Sequence, residues 1–476
     1  MITLLATEWI VCLGALLMLG LEIAGVHNRR LVAWLGLGTL LLASAAGVYN
    51  WSEPSRSLFN GSFVLDHTTI FFKEVVLAVT FVALLIAMDY VKEHLERKSS
   101  EFYCLFLFVC LGMLFLISAG DLVTIFIALE LTSMPLYVLA ACQTDIKRSA
   151  EAGMKFFILG ALASAIYLFG AAMLMGSLGT IYIHQFAAQI TSHPYVAILG
   201  MLCIIAAFAF KIAAAPFHMW APDVYQGAPT AVTAFLSTGP KVAGVAILMR
   251  ILLGSLNTPA HVRQDWVLVI SVLAVLSMWV GNLVAMHQTN IKRMMAYSGI
   301  AHMGYILVGL AAGSVSGSAA VMFYVLMYTL TNLGAWAVII TFGLSTGSEE
   351  IADMAGIARR SPGVALLLML AFLSLAGLPP LAGFIGKFYL FAAAWDAGLR
   401  WLALMGVLAS AASLFYYLGV LKVVYLEKPP SDEPLKISPS YRLAFMLSGF
   451  VIVILGLMPM MTRCVMDVAT RFMAHV

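Results

Sequence analysis

The sequence contains little charge: only 10% of its 476 residues are Asp, Glu, Lys or Arg, whereas 62% are hydrophobic. Soluble domains carry about 25% charged residues, so this composition excludes an ordinary soluble enzyme. The formal net charge of +3 is too small to indicate a nucleic-acid partner, and no cluster of basic and aromatic residues predicts a nucleic-acid surface. The mean hydropathy of +0.99 instead predicts an all-α polytopic membrane protein, surrounded by the lipid bilayer.

The sequence also lacks the spacings that bind cofactors. The six cysteines are scattered and form no C-x-x-C pair, which argues against a metal, haem or redox site. Neither G-x-G-x-x-G nor G-x-x-x-x-G-K-[ST] occurs, so we expect no dinucleotide or nucleoside triphosphate to bind this chain. No cluster of His, Cys, Asp and Glu has metal-ligand spacing. We therefore expect no metal or cofactor in this chain, and any redox chemistry must occur on a partner.

What the sequence does contain is a series of long apolar runs. Runs of about 17–25 residues, separated by charged or Gly- and Pro-rich breaks, predict about fourteen transmembrane helices. Lys and Arg fall mainly on one side of this topology, for example in Lys147-Arg148 and Lys292-Arg293. Because cytoplasmic loops are enriched in Lys and Arg, we expect both chain termini on the non-cytoplasmic side.

Two predicted spans contain residues that interrupt a helix. Span 228–254 has Gly239-Pro240 near its middle, and span 362–395 contains Gly-Leu-Pro-Pro at 377–380. Proline removes a backbone donor, and groups freed in this way are tolerated at membrane depth only when they are buried in protein or line a wet cavity. Discontinuous helices mark the binding sites of transporters, so we expect functional residues near both breaks.

Four charged residues lie far inside predicted spans: Glu130, Lys211, Lys241 and Lys387. A charge at the centre of a membrane helix costs about 2.5–3.5 kcal/mol and usually marks a pathway for ions or protons. Burial weakens the preference of a lysine for its charged form, so a buried lysine can release and regain a proton near neutrality. The sequence therefore predicts a proton relay through these four residues.

Glu130 and Lys211 are predicted to be partners. A lone carboxylate at this depth would stay protonated, whereas an adjacent lysine favours the ionised pair. The pair is either a switchable element of the relay or a static ion pair that locks two helices together. Pro216 is expected to loosen the backbone close to Lys211.

Three further residues are candidates for accessory positions in the relay. Lys155 lies near the start of its span, where its amine either snorkels to the interface or joins the relay. His218 follows Lys211 by seven residues, on the same predicted helix face, and would pass protons between bulk water and Lys211. His302 lies inside a span, either as a packing residue or as a member of the relay.

Three segments carry a family resemblance. Segment 211–241 reads KIAAAPFHMWAPDVYQGAPTAVTAFLSTGPK and closely resembles the signature of the antiporter-like membrane subunits of respiratory complex I. Segments 290–305 and 375–387 extend this likeness, which covers most of the chain. The resemblance implies fourteen helices, in which spans four to eight and nine to thirteen form two inverted five-helix repeats, each with a broken helix. The implied divisions are 1–101, 102–255, 264–428 and 441–476, for the first three helices, the two repeats and the C-terminal helix with its tail.

The resemblance also implies a role for each candidate residue. Glu130 matches the carboxylate partner, Lys211 the lysine that pairs with it, Lys241 the bridge between two half-channels and Lys387 the exit-side lysine. Lys155, His218 and His302 match accessory members of the same polar axis. The lysine at position 387 and the short tail after the last span are unlike the M-type and L-type branches of the family.

The family implies proton translocation driven by quinone reduction elsewhere in the complex, so this chain would act as a subunit of a translocase. NADH, FMN, iron–sulfur clusters and quinone would be held by other subunits, and M-type and K-type membrane subunits would be its neighbours. We expect the chain in the bacterial inner membrane. The alternatives are a subunit of a multisubunit cation/proton antiporter or of a membrane-bound hydrogenase, which share these motifs, and a passive membrane spacer.

Overall fold

The computed structural model describes residues 3–25, 29–95, 98–190, 194–256, 260–429, 431, 433–435, 437–457 and 460–474. Its helices in chain order are α1 (Ala6–Ile23), α2 (Arg29–Tyr49), α3 (His67–His94), α4 (Ser99–Ser118), α5 (Leu122–Ala140), α6 (Lys147–Leu178), α7 (Phe186–Gln189), α8 (Pro194–Lys211), α9 (Trp220–Gly227), α10 (Thr230–Leu236), α11 (Gly239–Gly254), α12 (Ala260–Ala285), α13 (Ile291–Ala311), α14 (Val315–Thr346), α15 (Ile357–Arg360), α16 (Pro362–Ala376), α17 (Ala382–Asp396), α18 (Arg400–Leu426), α19 (Pro439–Leu457) and α20 (Met460–Ala474). Two short strands, β1 (Arg56–Leu58) and β2 (Phe63–Leu65), pair as an antiparallel hairpin between α2 and α3.

The structure confirms the predicted all-α membrane fold. Within the described ranges, twelve helices are long and apolar enough to cross a membrane, or thirteen if one bent pair is counted as a span. The predicted number of fourteen is slightly high for continuous helices, because the apolar segments at 195–219 and 362–395 are built from shorter helices. The first consists of α8 and the segment after it, and the second consists of α16 and α17.

The end of α8 differs from the prediction. This helix stops at Lys211, and the chain continues through turns at 212–219 before α9 begins. Pro216 has no N–H to donate and Ala213 has a φ of 58°, in the left-handed region, so the helix does not continue. Lys211 therefore lies at a helix end rather than inside a helix. The prediction that His218 shares a helix face with Lys211 was wrong for the same reason.

The two predicted interruptions are present. Ser237 and Thr238 separate α10 from α11, and Gly239 and Pro240 occupy the first positions of α11, where proline is well tolerated. Between α16 and α17, residues 377–381 are not helical, and Gly377 adopts a φ of 88°. Glycine takes this left-handed conformation without steric cost, so α16 ends there.

Burial separates a central group of helices from an outer group. In α13, 94% of the most apolar stretch is buried inside the protein, whereas in α6 the figure is 28%. The helices α3, α4, α11 and α14 resemble α13 in this respect, and α1, α2 and α19 resemble α6. Because the exposed faces carry large apolar side chains such as Phe157 and Phe169, they are suited to lipid or to neighbouring membrane subunits. Lys241 and His302 both lie on central helices.

Candidate functional site

Glu130 lies on helix α5, and Lys211, at the end of α8, contacts the same helix. Glu130 accepts a short hydrogen bond from Ser164 of α6. Lys211 donates to the Oγ of Ser133 at 2.5 Å, and its Nζ lies 5.9 Å from the ring centre of Tyr137. In this described part of the chain the two side chains form no direct ion pair, since each is held by its own serine. Glu130 and Ser133 are one helical turn apart, so Glu130 lies close to the amine of Lys211. The two predicted partners are therefore neighbours without a direct ion pair.

The backbone around Lys211 is irregular but well satisfied. The N–H of Ala215 donates to the Oγ of Ser277 on α12 at 2.8 Å, and the indole of Trp220 donates to the carbonyl of Phe210 at 2.9 Å. Side chains therefore replace helical hydrogen bonds at the break, as a discontinuous helix in a membrane requires. Because α8 ends at Lys211, the amine of this residue lies next to α5.

A small cavity connects Lys211 with the start of α11. Its volume is about 20 Å³, and its polar lining consists of Lys211, Thr132 and Ser133. Pro240 lines the opposite end and immediately precedes Lys241 in the chain. The remaining lining is mainly apolar. A space of this size accommodates about one water molecule, so the gap between the first two lysines is narrow and only partly polar.

Lys241 is buried at the junction of the central helices. Its side chain is 2% exposed, and its Nζ has no hydrogen-bond partner among the residues that the structure describes. The Nζ lies 5.7 Å from the ring centre of Tyr225 on α9. A Cβ at Gly299 would lie 2.8 Å from this Nζ and 3.2 Å from the hydroxyl of Tyr328. The amine therefore lies directly over the backbone of α13 and beside a tyrosine of α14.

His302 lies at the centre of a cluster of tyrosines. Its Nδ1 is 2.7 Å from the hydroxyl of Tyr324, and its Nε2 is 3.1 Å from the hydroxyl of Tyr417. The ring of Tyr328 is 5.0 Å from the imidazole ring. Because Tyr328 is also beside Lys241, titratable and hydroxyl groups lie close to one another from α11 through α13 and α14 to α18, although not every neighbouring pair is hydrogen-bonded. His302 is a member of this polar cluster and not an isolated packing residue.

Lys387 lies at the second helix break. Its Nζ donates to the carbonyl of Ala376, the last residue of α16, and to the Oγ of Ser410 on α18, both at 2.9 Å. It also lies 4.6 Å from the ring centre of Tyr305, whose hydroxyl accepts a hydrogen bond from Asn282 at 3.0 Å. A carbonyl freed at a helix C-terminus is a good acceptor for a cation. The break therefore supplies part of the lysine site.

The two remaining candidates lie outside this cluster. Lys155 forms ion pairs with Glu151 at 2.8 Å and Asp223 at 2.9 Å, and its side chain is 43% exposed. His218 is nearly buried, with its ring 6.4 Å from that of Tyr297. The location of Lys155 matches the interfacial alternative more closely than a buried relay. The accessory roles of both residues stay predictions.

We use the term polar row for the buried and partly buried polar and ionisable side chains that lie between the two ends of the site. The polar row consists of Glu130, Ser164, Ser133, Lys211, Lys241, Tyr225, Tyr328, His302, Tyr324, Tyr417, Tyr305, Asn282, Ser410 and Lys387. Sequence reasoning did not select its serines, tyrosines or asparagine. One usable signal was the spacing of Tyr324 and Tyr328, four residues apart and hence on the same face of α14.

A second group of buried charges lies outside the polar row. Glu8 of α1 and Lys73 of α3 form an ion pair at 2.5 Å, and both side chains are 2% exposed. The adjacent Glu74 accepts a hydrogen bond from Ser44 of α2 at 2.5 Å. These contacts join the first three helices to one another. Because each charge is paired or hydrogen-bonded within the three helices, the group is suited to holding them together.

The polar row is suited to proton transfer. It contains three buried lysines, one carboxylate and one imidazole, separated mainly by hydroxyl groups that both donate and accept protons. In the described residues, no group of three or more His, Cys, Asp or Glu side chains is placed to hold a metal ion. A chain of such groups moves protons when water fills the short gaps between them.

Comparison with known proteins agrees with this geometry. Residues 119–413 match the family model described as NADH:quinone oxidoreductase/Mrp antiporter, transmembrane. The NADH-quinone oxidoreductase subunit N of Heliobacterium modesticaldum is 41% identical over 461 residues, which cover 96% of this chain and 96% of that protein. A chain of respiratory complex I from Thermus thermophilus, with bound aureothin, is 32% identical and has a TM-score of 0.80, with 95% of this chain and 97% of that chain covered. A chain of the Mrp complex from Dietzia sp. DQ12-45-1b is 22% identical and has a TM-score of 0.87, with 100% of this chain and 97% of that chain covered, so the two share the fold.

Proposed function

The chain belongs to the NADH:quinone oxidoreductase/Mrp antiporter family of membrane subunits, and from that premise we propose that it translocates protons in the membrane arm of a NADH-quinone oxidoreductase. It is an integral membrane protein and one subunit of a translocase, and electron transfer takes place on other subunits. The observation that carries the proposal is the polar row between Lys241 and Lys387, where His302 of α13 contacts tyrosines from two other helices, α14 and α18.

The residues of the polar row have distinct roles in this proposal. Lys211 and Glu130 receive the driving signal, because they are close enough to influence each other's charge while each has a serine that holds it when they separate. Lys241 connects the part of the polar row that contains Lys211 with the part that contains Lys387. Lys387 releases protons toward the far side, and His302 carries them from Lys241 to Lys387. In a low-dielectric interior, moving charge at one of these sites changes the proton affinity of the next.

Partners and cofactors follow from the same proposal. Other membrane subunits of the complex contact the chain, and we assign M-type and K-type subunits to its two sides. Glu130 and Ser164 are only partly buried and lie on helices with exposed apolar faces, which suits them to an interface with such a neighbour. NADH, FMN, iron–sulfur clusters and quinone belong to other subunits.

We further propose that the chain lies in a bacterial inner membrane with its termini on the non-cytoplasmic side. The distribution of Lys and Arg supports this orientation. Cys464, an exposed residue on α20, provides a test. A membrane-impermeant maleimide should label it from outside intact cells. Labelling only from the cytoplasmic face would contradict the proposed orientation.

The antiporter alternative rests on the shared fold with the Mrp complex, whereas the 41% identical relative is named as a NADH-quinone oxidoreductase subunit. The subunits that co-purify with this chain distinguish the two functions. NADH-oxidising and iron–sulfur subunits support the oxidoreductase, and their absence supports an antiporter.

The proposal is tested by proton pumping linked to quinone reduction in reconstituted vesicles. Lys211→Ala and Glu130→Ala should each reduce pumping sharply while the complex stays assembled, because each removes one member of the driving pair. Lys92→Ala, at an exposed position on α3, and Glu101→Ala, exposed on α4, are matched controls and should pump normally. Full pumping by the Lys211 and Glu130 variants would refute the relay.

A further inference from the structure

A second cavity opens on the side of the molecule that is rich in Lys and Arg. Its volume is about 310 Å³, and it lies between the ends of α3, α6, α9, α10, α13 and α14. The exposed part of its lining includes His94, and the buried part includes Lys292 and Ala228. By the charge distribution, this cavity faces the cytoplasm. It is large enough to hold several water molecules.

An ion pair lies between the open and buried parts of this cavity. The Nζ of Lys292 is 2.9 Å from the Oε1 of Glu349 and donates to the carbonyl of Ala228, also at 2.9 Å. The Lys292 side chain is 3% exposed, whereas that of Glu349 is 34% exposed. The pair thus has one member in contact with the aqueous cavity and one inside the protein. The N–H of Ile291 also donates to the carbonyl of Glu349 at 2.9 Å, which fixes the register of α13 against this loop.

The buried member of the pair is joined through α9 to a neighbour of Lys241. Ala228, the acceptor for Lys292, is three residues from Tyr225, whose ring centre is 5.7 Å from the Nζ of Lys241. Thr233 of α10 donates its hydroxyl to the carbonyl of Tyr225 at 3.1 Å, which joins α10 to α9. Both the Tyr225 hydroxyl and the Lys241 amine are buried and have no hydrogen-bond partner within the described ranges. Because buried polar groups are normally hydrogen-bonded, these two groups are places where a water molecule would bind.

We propose that the Lys292–Glu349 pair supplies protons from the cytoplasmic cavity to Lys241, an inference that rests on the proposed function. Lys292 gives a proton inward, through water and the Tyr225 hydroxyl, to the neutral amine of Lys241. Glu349 then takes a proton from water in the cavity and passes it to the neutral Lys292. The pair returns to its starting charge, and one proton has entered the polar row.

The alternative role for the pair is a latch that only holds the α13 and α14 ends together. Chemical rescue separates the two roles, because a small diffusible acid can replace a proton donor but cannot replace a latch. We suggest measuring proton pumping by the complete reconstituted complex carrying Glu349→Ala or Glu349→Asp, with and without added formate. The matched control is Glu350→Ala, at the neighbouring exposed residue, whose carboxylate accepts a hydrogen bond from Asn290 at 3.4 Å and forms no ion pair among the described residues.

We expect Glu349→Ala to lower the pumping rate by about 100-fold, the lower end of what a positioned proton-transfer group contributes, and formate to restore most of it. Glu349→Asp should pump well without formate, and Glu350→Ala should pump normally in both conditions. Normal pumping by Glu349→Ala, or a loss that formate does not restore, would overturn the inference. Lys211→Ala, measured in parallel, distinguishes the proposed function from this inference. If Lys211→Ala pumps normally, the proposed function is wrong. If Lys211→Ala is inactive and Glu349→Ala pumps normally, only this inference is wrong.

Discussion

Each lysine of the polar row has a different partner, and the partner determines what the amine can do. Lys211 is hydrogen-bonded to a serine on the helix that carries Glu130, Lys387 is held by a freed carbonyl and a serine, and Lys241 has no hydrogen-bond partner among the described residues. An amine that is not hydrogen-bonded to protein is free to bind water or a neighbouring polar group. Lys241 is therefore the one of the three that has no protein acceptor to leave when it exchanges a proton.

The contact between Lys241 and Gly299 gives a prediction at this scale. In Gly299→Ala, the new Cβ would lie 2.8 Å from the Lys241 Nζ, so the flexible amine must move aside. Because a small misplacement in a transfer chain strongly slows the reaction, we expect pumping to fall by about tenfold while the complex remains folded. Gly176→Ala on α6 is the control, since no atom would lie within 4 Å of its new Cβ. Equal pumping by the two variants would contradict the position assigned to Lys241.

The lysines could be found from sequence, but the groups between them could not. A lysine inside an apolar run is conspicuous because it is energetically unfavourable there. Tyrosine and serine are acceptable in membrane helices, so Tyr417 or Ser410 gives no comparable signal in a single sequence. The distance between Glu130 and Lys211 also depends on side-chain packing, which is why the sequence left the switch and the static ion pair as alternatives.

At the scale of elements, helix breaks position the lysines. The α8 break brings Lys211 to α5, and the break between α16 and α17 turns the carbonyl of Ala376 toward Lys387. The Gly and Pro residues of 239–240 and 377–380 allowed two interruptions to be predicted. The end of α8 was missed because Ala213 takes a left-handed conformation that its side chain does not favour, and only tertiary contacts such as Ser277 with Ala215 stabilise it.

The close approach of α16 and α17 gives a prediction at the element scale. A Cβ at Gly383 would lie 1.7 Å from the carbonyl oxygen of Ser374, and a backbone atom cannot move aside as a side chain can. We expect Gly383→Ala to lower the free energy of unfolding of this region by about 3 kcal/mol or more. The measurement is the temperature at which half of the chain is lost from the purified complex.

Gly363→Ala is the matched control for this experiment, because it lies in α16, the helix that Gly383 of α17 packs against, but has no atom within 4 Å of its new Cβ. It should leave the midpoint temperature unchanged or slightly raised. A midpoint for Gly383→Ala equal to that of the parent would mean that α16 and α17 are not packed as closely as described.

At the scale of the whole molecule, the buried helices and the polar row coincide. Lys241, His302 and the tyrosines of α14 lie on helices that are almost entirely buried, and the outer helices expose apolar faces. This arrangement keeps ionisable groups away from lipid while leaving surface for neighbouring subunits. Composition alone predicted a membrane protein of many helices, whereas which helices are central could not be predicted, since nearly all of them are apolar on every side.

The most direct test of the account is the number of protons pumped per quinone reduced by the reconstituted complex with Lys241→Ala. The two parts of the polar row meet at Lys241, so Lys241→Ala should stop the protons that pass through this chain. We therefore expect fewer protons to be pumped per quinone reduced, while quinone reduction continues and the complex stays assembled. Lys422→Ala, a lysine at an exposed position of α18, should leave the ratio unchanged. A ratio for Lys241→Ala equal to that of the parent complex would contradict proton transfer through the polar row.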